Sequence, residues 1–591
     1  MFNFVSQTNL RPTLLAFLAI IITTIISSYI NSVSSSSEVS KQERIQLNKE
    51  LILSVKPEYG SFLASRYAES IGDFTSAASY ITQLLDQKPN LKGVTQRGHL
   101  ILIRSGRIRE AAILAARIVS KDKTDPLSNI TLATVAIKKR SYDEALFWLE
   151  QIPQKGFYRL VIPLMRAWAF AGQLKENEAL EVLAKLNQIN GIEKITNLHT
   201  GLIADSLGNQ MLASQAYIRT INNFDNPSFQ LIRAYVGLLS RKDKNIKGKR
   251  LLEDYVEKNS QNLLVEPLVS ALRSGPKKEL GVLNFTQGAS EALFSVAGLL
   301  NAQNYRAQSL TMLRLSLYLR PEDPSVLFLL GEVLNKENQQ KQAIEVYNSI
   351  DHSDPYWWYA RLNLARVYRK MGSFEKSITI LRKMIRERPN RSDASREMGD
   401  ALRVHKRYRE AVQAYDLTEN RSSTALDWRL LYSRGIALER MNDWKRAEQD
   451  LLNALRLKPD QPYILNYLGY SWIDRGMNLE GAKSMIEKAV SIRPNDGFII
   501  DSLGWAFFQL GKYNQAVKYL EKAASLEPED PVINDHLGDA YWLTNRRLEA
   551  RFQWLRSLSQ NPMDQRKELI GEKLRGNHLP LIRLENNDNG I

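Results

Sequence analysis

The segment "DSLGWAFFQLGKYNQAVKYLEKAASLEPEDP", Asp501 to Pro531, decides the fold. It holds no histidine, no cysteine and no phosphate-binding glycine loop. Its order lies in side-chain size. Small residues stand at Gly504, Ala516 and Ala523, bulky ones at Trp505, Phe507 and Leu520, and Pro528 closes the run. Two apolar runs flank Gly511-Lys512, which predicts a helix over 497–510, a turn, and a second helix over 514–526. Gly504 and Ala516 let the two helix backbones approach while the large side chains interdigitate. Pro528 ends the second helix because it lacks an N–H and its ring clashes with the preceding turn.

The same code recurs along the chain. The first small position falls at Ala297, Gly331, Ala365, Gly399, Gly435, Gly469, Gly504 and Gly538, with spacings of 34, 34, 34, 36, 34, 35 and 34. The second falls at Ser309, Ala343, Ser377, Ala411, Ala447, Ala482, Ala516 and Ala550. Prolines close the units at 321, 355, 389, 459, 494, 528 and 562. The first half carries the period more faintly, through Ala77, Ala111, Ala145, Ala179 and Ala213. Between about 226 and 289 it dissolves, with Gly275-Pro276 as the clearest breaker. One hairpin cannot bury both apolar sides of its helices, so the units must stack into a solenoid. An all-α chain follows, although the length of 591 residues would otherwise suggest about four globular domains.

The pattern resembles the tetratricopeptide repeat family, whose unit of about 34 residues carries a W-x2-L-G-x2-Y, A-x3-F, P signature. "LGDAY" (Leu537 to Tyr541), "EARFQW" (Glu549 to Trp554) and Pro562 match it, as "LGYSW", "LGWAF" and "RGIAL" do in part. The resemblance implies a right-handed superhelix. It divides the chain into a divergent repeat array over 58–225, a degenerate repeat and insert over 226–289, and eight units over 290–562. "DQRKELIGEKLRG" is expected as a capping helix over 563–576, and 577–591 as a disordered tail.

Composition narrows the function. Cysteine is absent, which excludes disulfides, thiolate metal sites, cysteine nucleophiles and lipidation at an N-terminal cysteine. Lys plus Arg is 80 against 64 Asp plus Glu, a net charge of +16 that permits nucleic acid, anionic lipid or an acidic polymer and selects none. The basic runs "RKDKNIKGKR" and "RVHKRYRE" read as solvated helix faces, and nucleic acid is not the expected partner. Near the start, Arg11 precedes an apolar core from Leu14 to Ile22, and no further charge occurs before Glu38. Residues 1–34 are therefore expected to form a secretory signal peptide or, with 13–30 retained, a membrane anchor; 35–57 follow as a polar linker and first helix. Both outcomes imply export, and with the bacterial resemblance given below the expected location is the periplasm or the periplasmic face of an inner membrane.

No catalytic pattern stands out. The six histidines are not paired at helical ligand spacing, and neither G-x-S-x-G nor a Walker A sequence occurs. An enzyme, a metal site, a cofactor and a small-molecule substrate are not expected. The family resemblance supplies a different site, because its first helices line a concave groove. Carried onto the last three units, the inward positions are Tyr463, Asn466 and Tyr470, then Asp501, Trp505 and Phe508, then Asp535, Asp539 and Trp542. Asn466, Asp501 and Asp535 share one repeat position and are expected to form a hydrogen-bonding ladder for an extended peptide, flanked by aromatic anchors. The competing reading is structural, since acids suit helix first turns and tryptophans pack between repeats. Gly331, Gly399, Gly435, Gly469, Gly504 and Gly538, with Ala343, Ala411, Ala447, Ala482, Ala516 and Ala550, are read as packing positions.

The C-terminal block is also similar to long exported alphaproteobacterial repeat proteins. It is distantly similar to periplasmic repeat lipoproteins that hold a carboxy-terminal processing protease near its substrates. That resemblance implies a non-enzymatic adaptor of the bacterial envelope whose partners are proteins, an envelope protease and its substrates among them. A binder of an envelope polymer such as peptidoglycan, and a cytoplasmic scaffold if export fails, are the alternatives.

Overall fold

A computed structural model describes residues 57–88, 91, 93–223, 227–241, 245–258, 263–265, 284–421 and 427–576. The expected signal segment (1–34), most of the linker and the tail (577–591) lie outside the described residues. Those described form helices and turns with no strand, and no helix among them is long and apolar enough to cross a membrane.

The opening segment folds as Gly497–Gln509 and Tyr513–Leu526. A Cβ built on Gly504 would lie 2.6 Å from Leu520 Cγ, closer than carbon atoms can pack. Gly331 meets Tyr347 in the same way, Gly399 meets Tyr415, Gly435 meets Leu451 and Gly538 meets Trp554. In each case the large residue stands sixteen positions after the glycine. Ala343, Ala411, Ala447, Ala482, Ala516 and Ala550 are all fully buried. The small-to-large code is thus a contact across the hairpin.

The turn between the helices has its own register. Left-handed backbone occurs at Gly72, Gly106, Arg140, Leu174 and Gly208, each 34 residues after the last, and again at Asn304, Asn338, Gly372 and Lys406. This conformation closes the first helix, and glycine or asparagine adopts it most readily. The hairpin of Gly469 holds a second left-handed residue, Asn478, after Gly476. That extra residue accounts for the 35-residue step from Gly469 to Gly504 and moves the large partner of Gly469 to Ile486.

The chain divides into two compact units, residues 1–357 and 358–591. The boundary falls in the first turn of helix Tyr356–Lys370, so the hairpins around Ala297 and Gly331 belong to the first unit, whereas the sequence groups them with the C-terminal array. The irregular region contributes a further hairpin, Phe229–Ser240 with Asn245–Lys258, and a short turn of helix at Leu263–Val265.

A second difference lies inside the first unit, where contacts are not confined to neighbouring repeats. Helix Phe285–Ala302 packs against Tyr158–Gly172 and Glu193–Ser206, and Arg306–Leu319 packs against Val94–Ser105 and Pro126–Lys138. These four targets are first helices of their hairpins, so the chain's own hairpin covers the inner face they form. Gly288 makes this possible, because a Cβ there would lie 2.2 Å from the Trp168 ring. Trp168 Nε1 donates to His199 Nδ1 at 3.0 Å, which leaves the imidazole proton on Nε2 to reach Ser295 Oγ at 3.2 Å. Burial holds His199 down to about 3, so the ring stays neutral. Lys138 Nζ closes the seam by donating to the Leu319 carbonyl at 2.7 Å.

Candidate functional site: the inner face of the second unit

In the second unit, helix Pro462–Asp474 touches Gly497–Gln509, which in turn touches Pro531–Leu543. These are the first helices of successive hairpins, and their mutual contact places them on the inner side of the stack. Each is started by its own cap. Gln461 accepts from the Tyr463 amide, Asp496 from Ile499, and Asp530 from Val532 and Ile533. Pro462 and Pro531 occupy the first helical turn, where a missing N–H costs nothing. The capping acids are therefore Asp496 and Asp530, and Asp501 and Asp535 lie further along the helices.

All nine predicted groove residues lie on these three helices, but they divide into two groups. Asp501 is buried and accepts from His536 Nδ1 at 3.0 Å. Asp535, only 1% exposed, accepts from Lys573 Nζ at 2.8 Å and Arg566 at 2.7 Å. Asp539 accepts from Lys573 Nζ at 2.8 Å and Trp554 Nε1 at 3.0 Å. Two members of the expected hydrogen-bonding ladder, Asp501 and Asp535, are thus already occupied, because buried charges require partners and the chain supplies them. Phe508 is also buried, stacked on Trp505 and edge-on to Tyr513. Trp542 lies beneath Arg547, whose guanidinium carbon is 3.9 Å from the ring centroid, and against Trp554.

The remaining residues keep unused capacity. Tyr463 is 43% exposed. Asn466 Oδ1 and Trp505 Nε1 are shielded from water and make no hydrogen bond. The Trp505 ring is held between Phe508, with centroids 4.7 Å apart, and His536, at 4.1 Å. Tyr470 is partly buried near Asp474 and Asp501, and burial raises its phenol well above the ordinary value. An unmet acceptor and an unmet donor, both shielded from water, thus stand on adjacent helices, with the exposed Tyr463 ring on the first of them.

The residues missed by sequence reasoning are the partners of the acids. His536 follows Asp535 directly and points back to the preceding hairpin to reach Asp501. Lys573 and Arg566 lie on the capping helix Asp564–Arg575, close to its expected bounds. A signal was present, since Lys573 stands 34 residues after Asp539 and continues the repeat register into the cap. Burial raises the Asp539 carboxyl pKa and works against the Lys573 charge, but Asp539 and Asp535 together still hold the lysine above its usual value.

Residues 362–424 match the family model described as tetratricopeptide repeat, and 504–545 match one described as TPR repeat. Over 194 residues the chain is 29% identical to a TPR repeat-containing protein of Pseudomonas aeruginosa, covering 33% of this chain and 32% of that protein. Over 163 residues it is 25% identical to the BBSome complex member BBS4 of Bos taurus, covering 27% and 30%. The chain spans about a third of the length of these curated relatives. Among solved structures it is similar to the APC/C hetero-tetramer Cut9–Hcn1, with a TM-score of 0.37 and 15% identity over 90% of this chain and 98% of that one. Residues 362–424 and 504–545 thus match tetratricopeptide repeats, in agreement with the repeat period and the paired helices that surround them.

Proposed function

We propose that this chain is a non-catalytic scaffold that holds an extended segment of a partner protein on the inner face of its second unit. The observation that carries the reading is the pair of unmet hydrogen bonds at Asn466 Oδ1 and Trp505 Nε1, on the two contacting helices of which the first exposes the Tyr463 ring. An unmade buried hydrogen bond costs about 1–3 kcal/mol, and a peptide backbone offers both a donor and an acceptor to relieve it. Tyrosine and tryptophan add apolar area at low entropic cost. Asp501, Asp535 and Asp539 are assigned to the frame that holds this face. The absence of cysteine and the uncharged run between Arg11 and Glu38 support export, with the scaffold working among envelope proteins such as a protease and its substrates.

In-cell photocrosslinking tests this. A photoreactive residue in place of Tyr463 should capture a discrete partner, and one in place of exposed Leu548 on an outer helix should not. Asn466→Ala combined with Trp505→Ala should lower that capture about thirtyfold, equivalent to about 2 kcal/mol at a binding hot spot. Equal capture from both positions, or capture indifferent to the double substitution, sinks the assignment.

A further inference from the structure

The seam in the first unit forms a half-open cavity of about 530 Å³, separate from the Tyr463 face. It is lined by Arg107, Arg109, Lys138 and Arg314, with Glu110 as the one acid, and by Ile108, Leu317, Tyr318 and Pro321. Two of the cations are engaged within the chain. The Arg107 fork holds Glu110, and Lys138 spends one proton on the Leu319 carbonyl. The other two have capacity left. Arg109 is exposed on the first turn of helix Ile108–Val119. Among the described residues, Arg314 Nε is shut off from water without a hydrogen-bond partner, and its guanidinium reaches Gln342 Oε1 at a long 3.4 Å. Burial draws the Arg314 pKa down to about 10 despite nearby Glu345, which marks a cation short of counter-charge. No side chain caps helix Ile108–Val119, so its first turn adds the partial positive charge of unpaired amides. Gly106, left-handed at φ +85°, keeps the backbone beside Arg314 free of a side chain.

We propose that this cavity docks the carboxylates of an acidic peptide segment, with Arg109 and Arg314 as the receiving forks and Tyr318, Leu317 and Pro321 as the apolar wall. The planar guanidinium presents paired donors that match a carboxylate, which a point charge does not. Four cations against one acid set the sign of the ligand. The mixed wall favours a peptide, whose side-chain methylenes and backbone can lie along Leu317 and Tyr318, over a small hydrated anion. This is a second site, in a different unit and of different chemistry from the Tyr463 face, so either can fail without the other.

The test is fluorescence anisotropy of fluorescein-labelled hexaglutamate with the full-length chain. Unlabelled hexaglutamate should displace the probe, and a Ser-Gly hexapeptide should not. Arg109→Glu, at an exposed position, should weaken binding about tenfold, as expected when a charge opposing the ligand replaces a matching one. Arg314→Gln should weaken it comparably, with a circular dichroism melt confirming that each variant folds. Arg546→Glu in the second unit, the same change of charge placed elsewhere, should alter binding by less than about twofold. Unchanged affinity of a folded Arg109→Glu variant overturns the proposal. So does an equal loss from Arg546→Glu, which would mean binding by net charge alone. Displacement by pyrophosphate at lower concentration than hexaglutamate also overturns it, in favour of a small phosphate ligand.

Discussion

In the first unit the inner helices face the chain itself, with Gly288 on Trp168 and the His199 ring relaying between Trp168 and Ser295. In the second unit the equivalent helices leave Tyr463 exposed and Trp505 half-buried, and the last hairpin is covered by helix Asp564–Arg575. The hairpin code is the same in both, a small residue facing a large one sixteen positions later. What differs is how the polar groups of the inner face are satisfied. Around Trp168 the first unit seals its face with a small residue and a neutral histidine. The second brings two cations to its acids and leaves an amide oxygen and an indole N–H unmatched. Hairpin packing makes the stack, and the inner-face polar residues decide whether that face is closed.

Uncapping the second unit should have the largest effect. Lys573→Ala strips Asp535 and Asp539 of a shared buried counter-ion, and breaking such a pair from one side costs about 3–5 kcal/mol. Hydrogen exchange should show lost protection over 531–576 and none over 57–357. Replacing all three together, Asp535→Asn and Asp539→Asn with Lys573→Met, should recover most of the loss, since the one charge left without its partner, Arg566, is about a third exposed to water. Failure of the triple variant to recover would mean the cap is held by packing around Ile570 instead.

The complementary change opens the first unit. Gly288→Val places methyl groups where the Trp168 ring lies, and overpacking a tight contact costs about 1–3 kcal/mol or more when a rigid ring must move. Protection should fall over helices Phe285–Ala302 and Tyr158–Gly172 together, with Trp168 fluorescence shifting to the red. Unaltered protection in the second unit would confirm that the two stacks hold themselves together by separate contacts.

Much of this was legible in the sequence, and the limit has a physical cause. The 34-residue register, the helix pair at 497–510 and 514–526, the capping helix and the twelve glycine and alanine packing positions follow from residues that touch within one hairpin. The fate of Asp501, Asp535 and Asp539 depended on His536, Arg566 and Lys573, which lie between 31 and 38 residues away. Position in the repeat identifies which residues face inward, but not whether a partner waits there. The doubling back of the first unit was harder to see. Its signal is that "SLTMLRLSL" (Ser309 to Leu317) is apolar around most of its circumference, and Ser309, Leu310, Thr311, Met312, Leu313, Leu315 and Ser316 are all buried. A helix that is apolar on all sides must be covered on all sides, and one stack of neighbours does not provide that.

The mildest test concerns the acid that this doubling back encloses. Glu291, on helix Phe285–Ala302, is largely buried; that burial, reinforced by Asp323, outweighs Arg233 and Arg320 and pushes its carboxyl up to about 7. A carboxyl with a folded-state value above its unfolded value of 4.5 contributes stability that is fully present below pH 4.5 and is lost as pH rises through 7. The first unit should therefore gain stability through this group as pH falls from 8 to 5. Glu291→Gln, which fixes the neutral form, should stabilise it by about 1–3 kcal/mol at pH 8 and by less than about 1 kcal/mol at pH 5. Protection of 285–319 measured at both values of pH reads the difference, and the second unit serves as the internal control. If Glu291→Gln destabilises the hairpin at pH 8, then Arg233 and Arg320 hold a working ion pair with Glu291, and the first unit, like the second, closes part of its inner face with charge.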